Sequence, residues 1–240
     1  MNSLIYLFAF ITFLSTLFGG FIILRYKKAL PYFFAFAAGS LISVVFLDLL
    51  PESLEIANSL SIPIRYVMIT IVTSFFAYSL LEKYFLTHHH HEGEGHGHIM
   101  GPIGAGSLII HSFFDGAAIG LAFQVSSAVG LVVGLAVIFH DMTDGINTVV
   151  LMLKNKQKKE RAIKFLVMDA IAPSLGILLT SFFIFPQQIL VFLLAIFSGE
   201  FLYIGASSLL PETHHHDSKK VVIAMTLGFL LMLILTSLIA

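Results

Sequence analysis

Apolar residues in this chain come in long unbroken runs. They do not alternate as strands do, nor do they form the one-sided stripes of surface helices. Eight runs of about 20 residues or more cover positions 4–24, 31–50, 64–85, 102–125, 127–153, 163–185, 187–210 and 220–239. A helix rising about 1.5 Å per residue needs about 20 apolar residues to cross a hydrocarbon layer roughly 30 Å thick. Each run is therefore predicted to be a membrane-spanning helix. The fourth and fifth are divided by almost no loop, only the stretch Gln124 to Gly130. The first run lacks a basic leader and a small-residue cleavage site, and Arg25, Lys27 and Lys28 follow it, so it is predicted to be an uncleaved span. The expected fold class is an all-α integral membrane protein of eight helices. Residues 1–240 form one transmembrane domain, with a loop at 86–101 inside it.

The charged positions orient these spans. Lysine and arginine are retained on the cytoplasmic side, and twelve of the thirteen lie after spans one, three, five and seven; Arg65 alone lies on the other side. Both termini are expected outside, with the basic loops inside. Only 11% of the 240 residues are charged while 58% are hydrophobic, against the roughly one quarter charged in a soluble domain. The formal net charge of -1 gives no reason to expect nucleic acid as a partner. With no cysteine, disulfides and thiolate metal sites are excluded, and any metal site falls to His, Asp and Glu.

Span two closes on Leu49-Leu50-Pro51-Glu52-Ser53 and span seven on Leu209-Leu210-Pro211-Glu212-Thr213. Five spans, an odd step, separate the two copies, so they run in opposite directions. This is the mark of an inverted repeat, with the first three and last three spans related around the central pair. Proline and an acid simply ending an apolar helix would give the same text.

Ionisable residues within a span are costly and are functional candidates by default. Span four holds His111-Ser112-Phe113-Phe114-Asp115-Gly116 and span five His140-Asp141-Met142-Thr143-Asp144-Gly145. In each H-x-x-x-D-G the i,i+4 spacing puts His and Asp on one helical face. Two such faces on neighbouring helices are expected to bring His111, Asp115, His140, Asp141 and Asp144 to one cation, whereas a single pair would equally suit a buried hydrogen bond. Imidazole and carboxylate donors suit zinc, with iron(II), manganese(II) or cadmium as alternatives, and disfavour copper(I). An empty site with about three negative charges is expected to hold protons that an arriving cation displaces, so transport is expected to depend on pH. Asp169, one turn before Pro173, reads equally as a second-site ligand, an ion-path residue or a proton carrier. Glu200 in span seven and Asp48 near the outer end of span two are pathway candidates.

The loop after span three carries His88, His89, His90, His91, His96 and His98 among glycines and acids, and the loop after span seven has His214-His215-His216. Such tracts cannot pack a core and bind metals loosely. Both are expected on the cytoplasmic side, where they would capture ions.

These features together resemble the ZIP (Zrt/Irt-like) family of divalent-metal transporters over nearly the whole chain. The carriers of the likeness are eight spans, the His-rich loop between spans three and four, HSFFDG and HDMTDG on spans four and five, and Pro211-Glu212-Thr213-His214 at the end of span seven. The resemblance implies a first metal site from His111, Asp115, His140, Asp141 and Asp144, and inward transport by moving one helix group against another. Where family members build a second site, this chain has Ser112 after the span-four histidine and Ala172 before the span-six proline, with Asp169 one turn earlier. Aspartate stands at 115 and 144 in place of the frequent glutamate. These departures count against a two-ion centre.

The expectation is a carrier and not an enzyme, with no cofactor, a divalent metal as cargo, the lipid bilayer as surroundings and a homodimer as its assembly. The default location is a prokaryotic inner membrane. A cation-diffusion exporter, the nearest rival, would have six spans and a folded cytoplasmic C-terminal domain, and none is expected after the last span. An intramembrane metal-dependent hydrolase would need an open coordination position and a separate base, and no H-E-x-x-H is present.

Overall fold

Within a bilayer the backbone polar groups of a single apolar segment can be satisfied only along a helix. The computed structural model describes residues 4–24, 30–87, 97–214 and 219–239. Among these, eight helices are long and apolar enough to cross a membrane. The elements are α1 (Leu4–Ile23), α2 (Leu30–Val44), α3 (Leu50–Ser59), α4 (Ile64–Thr87), α5 (Gly97–Val125), α6 (Ser127–Lys154), α7 (Lys159–Ser181), α8 (Gln187–Tyr203), α9 (Leu210–His214) and α10 (Lys219–Ile239).

Two spans are longer than their apolar runs indicate. A π-helical turn, Val45–Leu49, joins α2 to α3, so the second span continues through Pro51 to Ser59; a second such turn, Ile204–Leu209, joins α8 to α9. In each turn the amide before the proline reaches back five residues, Leu50 to Val45 O and Leu210 to Gly205 O. The wider turn makes room for a ring that would otherwise crowd the preceding carbonyl. Leu-Leu-Pro-Glu therefore does not end either helix, contrary to the expected boundaries at 50 and 210.

The sixth span starts and ends about four residues before its expected limits. Gln124 at the end of α5 explains the early stop. Its Nε2 donates to Thr180 O and to Phe183 O, both at 2.8 Å, and its Oε1 accepts from Phe185 N at 3.0 Å. One side chain thus satisfies the frayed end of α7 and the chain leading to Pro186.

The helices fall into two packed groups. In one, α1 packs on α6 and α7, and α5 on α6 and α7; in the other, α2 packs on α10, and α4 and α3 on α8. Hydroxyls bond across the helix pairs, Ser15 Oγ to Ile138 O (2.6 Å), Ser174 Oγ to Ala9 O (2.6 Å) and Ser74 Oγ to Ile196 O (2.7 Å). Where hydrocarbon gives little drive to association, close packing and such bonds hold helices together. The groups meet where α2 and α10 touch α6, and where α8 touches α5. Among the spans α6 is the most enclosed and α4 the least, so the centre of the molecule is built around α6.

Candidate metal centre

Ser126 alone breaks α5 from α6. Its backbone is extended (φ -157°, ψ 163°) and its side chain accepts from Val129 N, capping α6. His111 lies fifteen residues before this reversal and His140 fourteen after it. At about 1.5 Å per residue the two histidines reach nearly the same depth on antiparallel neighbours. The near-equal spacing from one tight turn makes the two motifs meet.

They do meet. His111, Asp115, His140 and Asp144 each offer a donor atom, all within 4.8 Å of one another, and all four residues are buried. His111 Nε2 lies 3.0 Å from Asp115 Oδ2, and His140 Nε2 lies 3.1 Å from the same oxygen and 3.6 Å from Asp144 Oδ2. Burying a carboxylate is costly unless it is fully paired. Yet His111 Nε2, Asp115 Oδ1, Asp144 Oδ2 and both oxygens of Asp141 have no hydrogen-bond partner in the protein. Proteins rarely leave one such buried atom unsatisfied, and a group of them on two neighbouring helices suits a cation. Two imidazoles and two carboxylates match the nitrogen and oxygen donors that zinc takes at four-coordinate sites.

Not every expected ligand joins this group. Asp141 Oδ1 is 3.9 Å from His140 Nε2, and Asp141 is absent from the four-donor cluster. Adjacent residues on a helix point about 100° apart, so Asp141 borders the centre where Asp144, a full turn from His140, faces it. Ser112 is turned aside for the same reason. It donates to Asp169 Oδ1 at 2.7 Å, while Thr148 donates to Asp169 Oδ2 at 2.8 Å. The three buried side chains join α5, α6 and α7 one turn beyond Asp144. Thr148 was missed by sequence reasoning, although its place four residues after Asp144 is the signal that could have found it.

Glu200 comes to the centre from α8, with Oε1 3.3 Å from His111 Nδ1. Asp48 stands apart in the π-helical turn of the second span, with Oδ2 buried and without a hydrogen-bond partner. Two rings flank the histidines: Tyr78 edge-on to His111 and Phe201 edge-on to His140, each with centroids 5.7 Å apart. The glycine closing each motif meets a neighbouring backbone. A Cβ on Gly116 would overlap Pro173 O of α7, and one on Gly145 would overlap Thr16 O of α1. Of the loop histidines, His88, His89, His90, His91 and His96 lie outside the described residues, as do His215 and His216. His98 falls in α5 and His214 in α9, with side chains outside the description.

The sequence model of the family described as ZIP zinc transporter matches residues 99–236, more than half of the chain, and includes every residue of this centre. The chain belongs to the ZIP family. Among curated ZIP proteins, zinc transporter ZIP10 of Mus musculus is 31% identical over 109 residues, 45% of this chain and 13% of that protein. Zinc transporter ZIP13 of Pongo abelii is 26% identical over 192 residues, 74% of this chain and 57% of that protein. Zinc transporter foi of Drosophila melanogaster is 26% identical over 122 residues, covering 50% and 17%. The chain thus spans about an eighth of the ZIP10 protein and just over half of ZIP13.

Proposed function

We propose that this ZIP-family chain carries divalent transition-metal cations across a membrane, zinc foremost, with iron(II), manganese(II) or cadmium as lesser cargoes. The ion binds at His111, Asp115, His140 and Asp144, with Asp141 at the margin. The observation that carries this reading is the cluster of buried, unsatisfied donors on α5 and α6, inside helices long and apolar enough to span a bilayer. The zinc named for the relatives and for the family agrees with the donor set.

Asp169 fits a one-ion centre with a neighbouring stop on the ion's path. Each of its oxygens already accepts a hydroxyl hydrogen bond, which leaves it a poorer ligand for a second ion. Both termini lie outside in this reading, which the lysines and arginines of the opposite loops support, and transport runs inward by displacement of one helix group against the other. The reading of spans one to three and six to eight as an inverted repeat gains support from the paired π-helical turns before Leu-Leu-Pro. Helix pairings add to it. Exchanging one with six, two with seven, three with eight and four with five turns the α1–α6 contact into α7–α5 and the α2–α10 contact into α8–α4. The histidine loops collect ions on the cytoplasmic face.

The test is zinc accumulation in proteoliposomes loaded with a zinc-sensitive dye. The full chain accumulates zinc, and Asp144→Ala does not while remaining folded. Uptake unchanged by Asp144→Ala would remove Asp144 from the site.

A further inference from the structure

Each histidine at the centre has its second ring nitrogen engaged, and the two are engaged differently. His140 Nδ1 lies 3.3 Å from Ala136 O, a carbonyl of its own helix. His111 Nδ1 lies 3.3 Å from Glu200 Oε1, a carboxylate on α8. The Nε2 atoms of both rings turn to Asp115 Oδ2. An imidazole that ligates through one nitrogen carries its proton on the other, and the acceptor of that proton fixes both tautomer and ring direction. For His140 that acceptor comes with the helix. For His111 it is brought from elsewhere in the chain.

Glu200 is a costly way to supply it. The residue is buried, flanked by buried Phe197 and Phe201, and is the one carboxylate of Gln187–Tyr203, which holds no basic side chain. Its depth is set firmly, because Gly199 lets the backbone of α4 at Ile71 come so near that a Cβ there would overlap Ile71 O. Beyond this, α8 and α5 belong to different helix groups. The bond therefore joins a motif histidine on one group to a fixed carboxylate on the other.

We propose that Glu200 is a positioning residue for the cation. It holds His111 by Nδ1–H so that Nε2 faces the ion, and it ties the centre to the helix group that contributes none of the four donor residues. This rests on the reading of the centre as a cation site. Loss of the carboxylate frees the His111 ring, so affinity falls without the removal of any ligand. The amide of glutamine still offers an oxygen to the same N–H and preserves ring direction.

Cobalt(II) tests this in the purified full chain, since its visible spectrum reports coordination geometry. The centre's signal is the spectral component lost in His140→Ala, which sets aside cobalt on the histidine loops. Glu200→Ala is expected to weaken that component's cobalt affinity by about ten- to a hundredfold and to alter its band shape. Glu200→Gln should keep the wild-type band shape and lie within a few-fold of wild-type affinity. In a His111→Ala background, Glu200→Ala should add almost no further loss. Wild-type affinity and spectrum in Glu200→Ala would overturn the proposal while leaving the centre standing, and so would losses that add independently with His111→Ala. A full chain with no cobalt component sensitive to His140→Ala would overturn the centre itself.

Discussion

Asp144 and Asp141 sit three residues apart on α6, yet the structure gives them different weights. Asp144 belongs to the four-donor cluster, while Asp141 stands at 3.9 Å from the nearest ring nitrogen. Removing one partner of a buried charged set costs about 3 kcal/mol, or roughly a hundredfold in affinity. Asp144→Asn is thus expected to weaken zinc binding about a hundredfold, and Asp141→Asn by clearly less, as read by competition with a chelator. Because these ligands must shed protons to coordinate, apparent affinity should rise from about pH 6 to about pH 7.5, where imidazole ordinarily titrates. An affinity flat across that range would count against proton displacement. The four clustered donor residues were legible because i,i+4 spacing survives any packing of the helices. The pairing of Glu200 with His111, and of Thr148 and Ser112 with Asp169, was not. Those contacts depend on how α8 and α7 lie against the hairpin, and spacing along one helix carries no record of that.

At the scale of helices, glycine decides how near they come. Gly116 meets α7 at Pro173, and Gly176 of α7 meets Phe113 O on α5. A methyl at either position must push the two backbones apart. Gly116→Ala should destabilise the protein by about 1–3 kcal/mol and displace His111 and Asp115 with it. A lowered melting temperature in detergent together with weakened zinc binding is the expected outcome. A variant with both properties unchanged would show that the approach is not close. Gln124→Ala strips partners from Thr180 O, Phe183 O and Phe185 N, and is expected to make the 182–186 connection cleavable by protease at lower temperature than in the wild type. The positions of all eight spans could be read from apolar length alone. The continuation of two of them past proline could not, because a π-helical turn is a local adjustment to a ring, and apolar patterning does not register it.

The whole molecule is a pair of helix groups with the centre on α5 and α6, near where α8 of the other group touches α5. Deleting residues 88–98 should change apparent affinity or regulation only modestly in the liposome assay, and complete loss of transport by correctly inserted protein would make the loop part of the obligatory path. X-ray absorption at the zinc edge tests most directly whether the two motifs share one ion. In the full chain at one zinc per chain, the spectrum should show about two imidazole nitrogens at about 2.0 Å with carboxylate oxygens completing the shell. His111→Ala should lose one nitrogen, and the double substitution with His140→Ala should lose the site. An imidazole-rich shell that persists in the double variant would place the ion on the loops and contradict a shared centre.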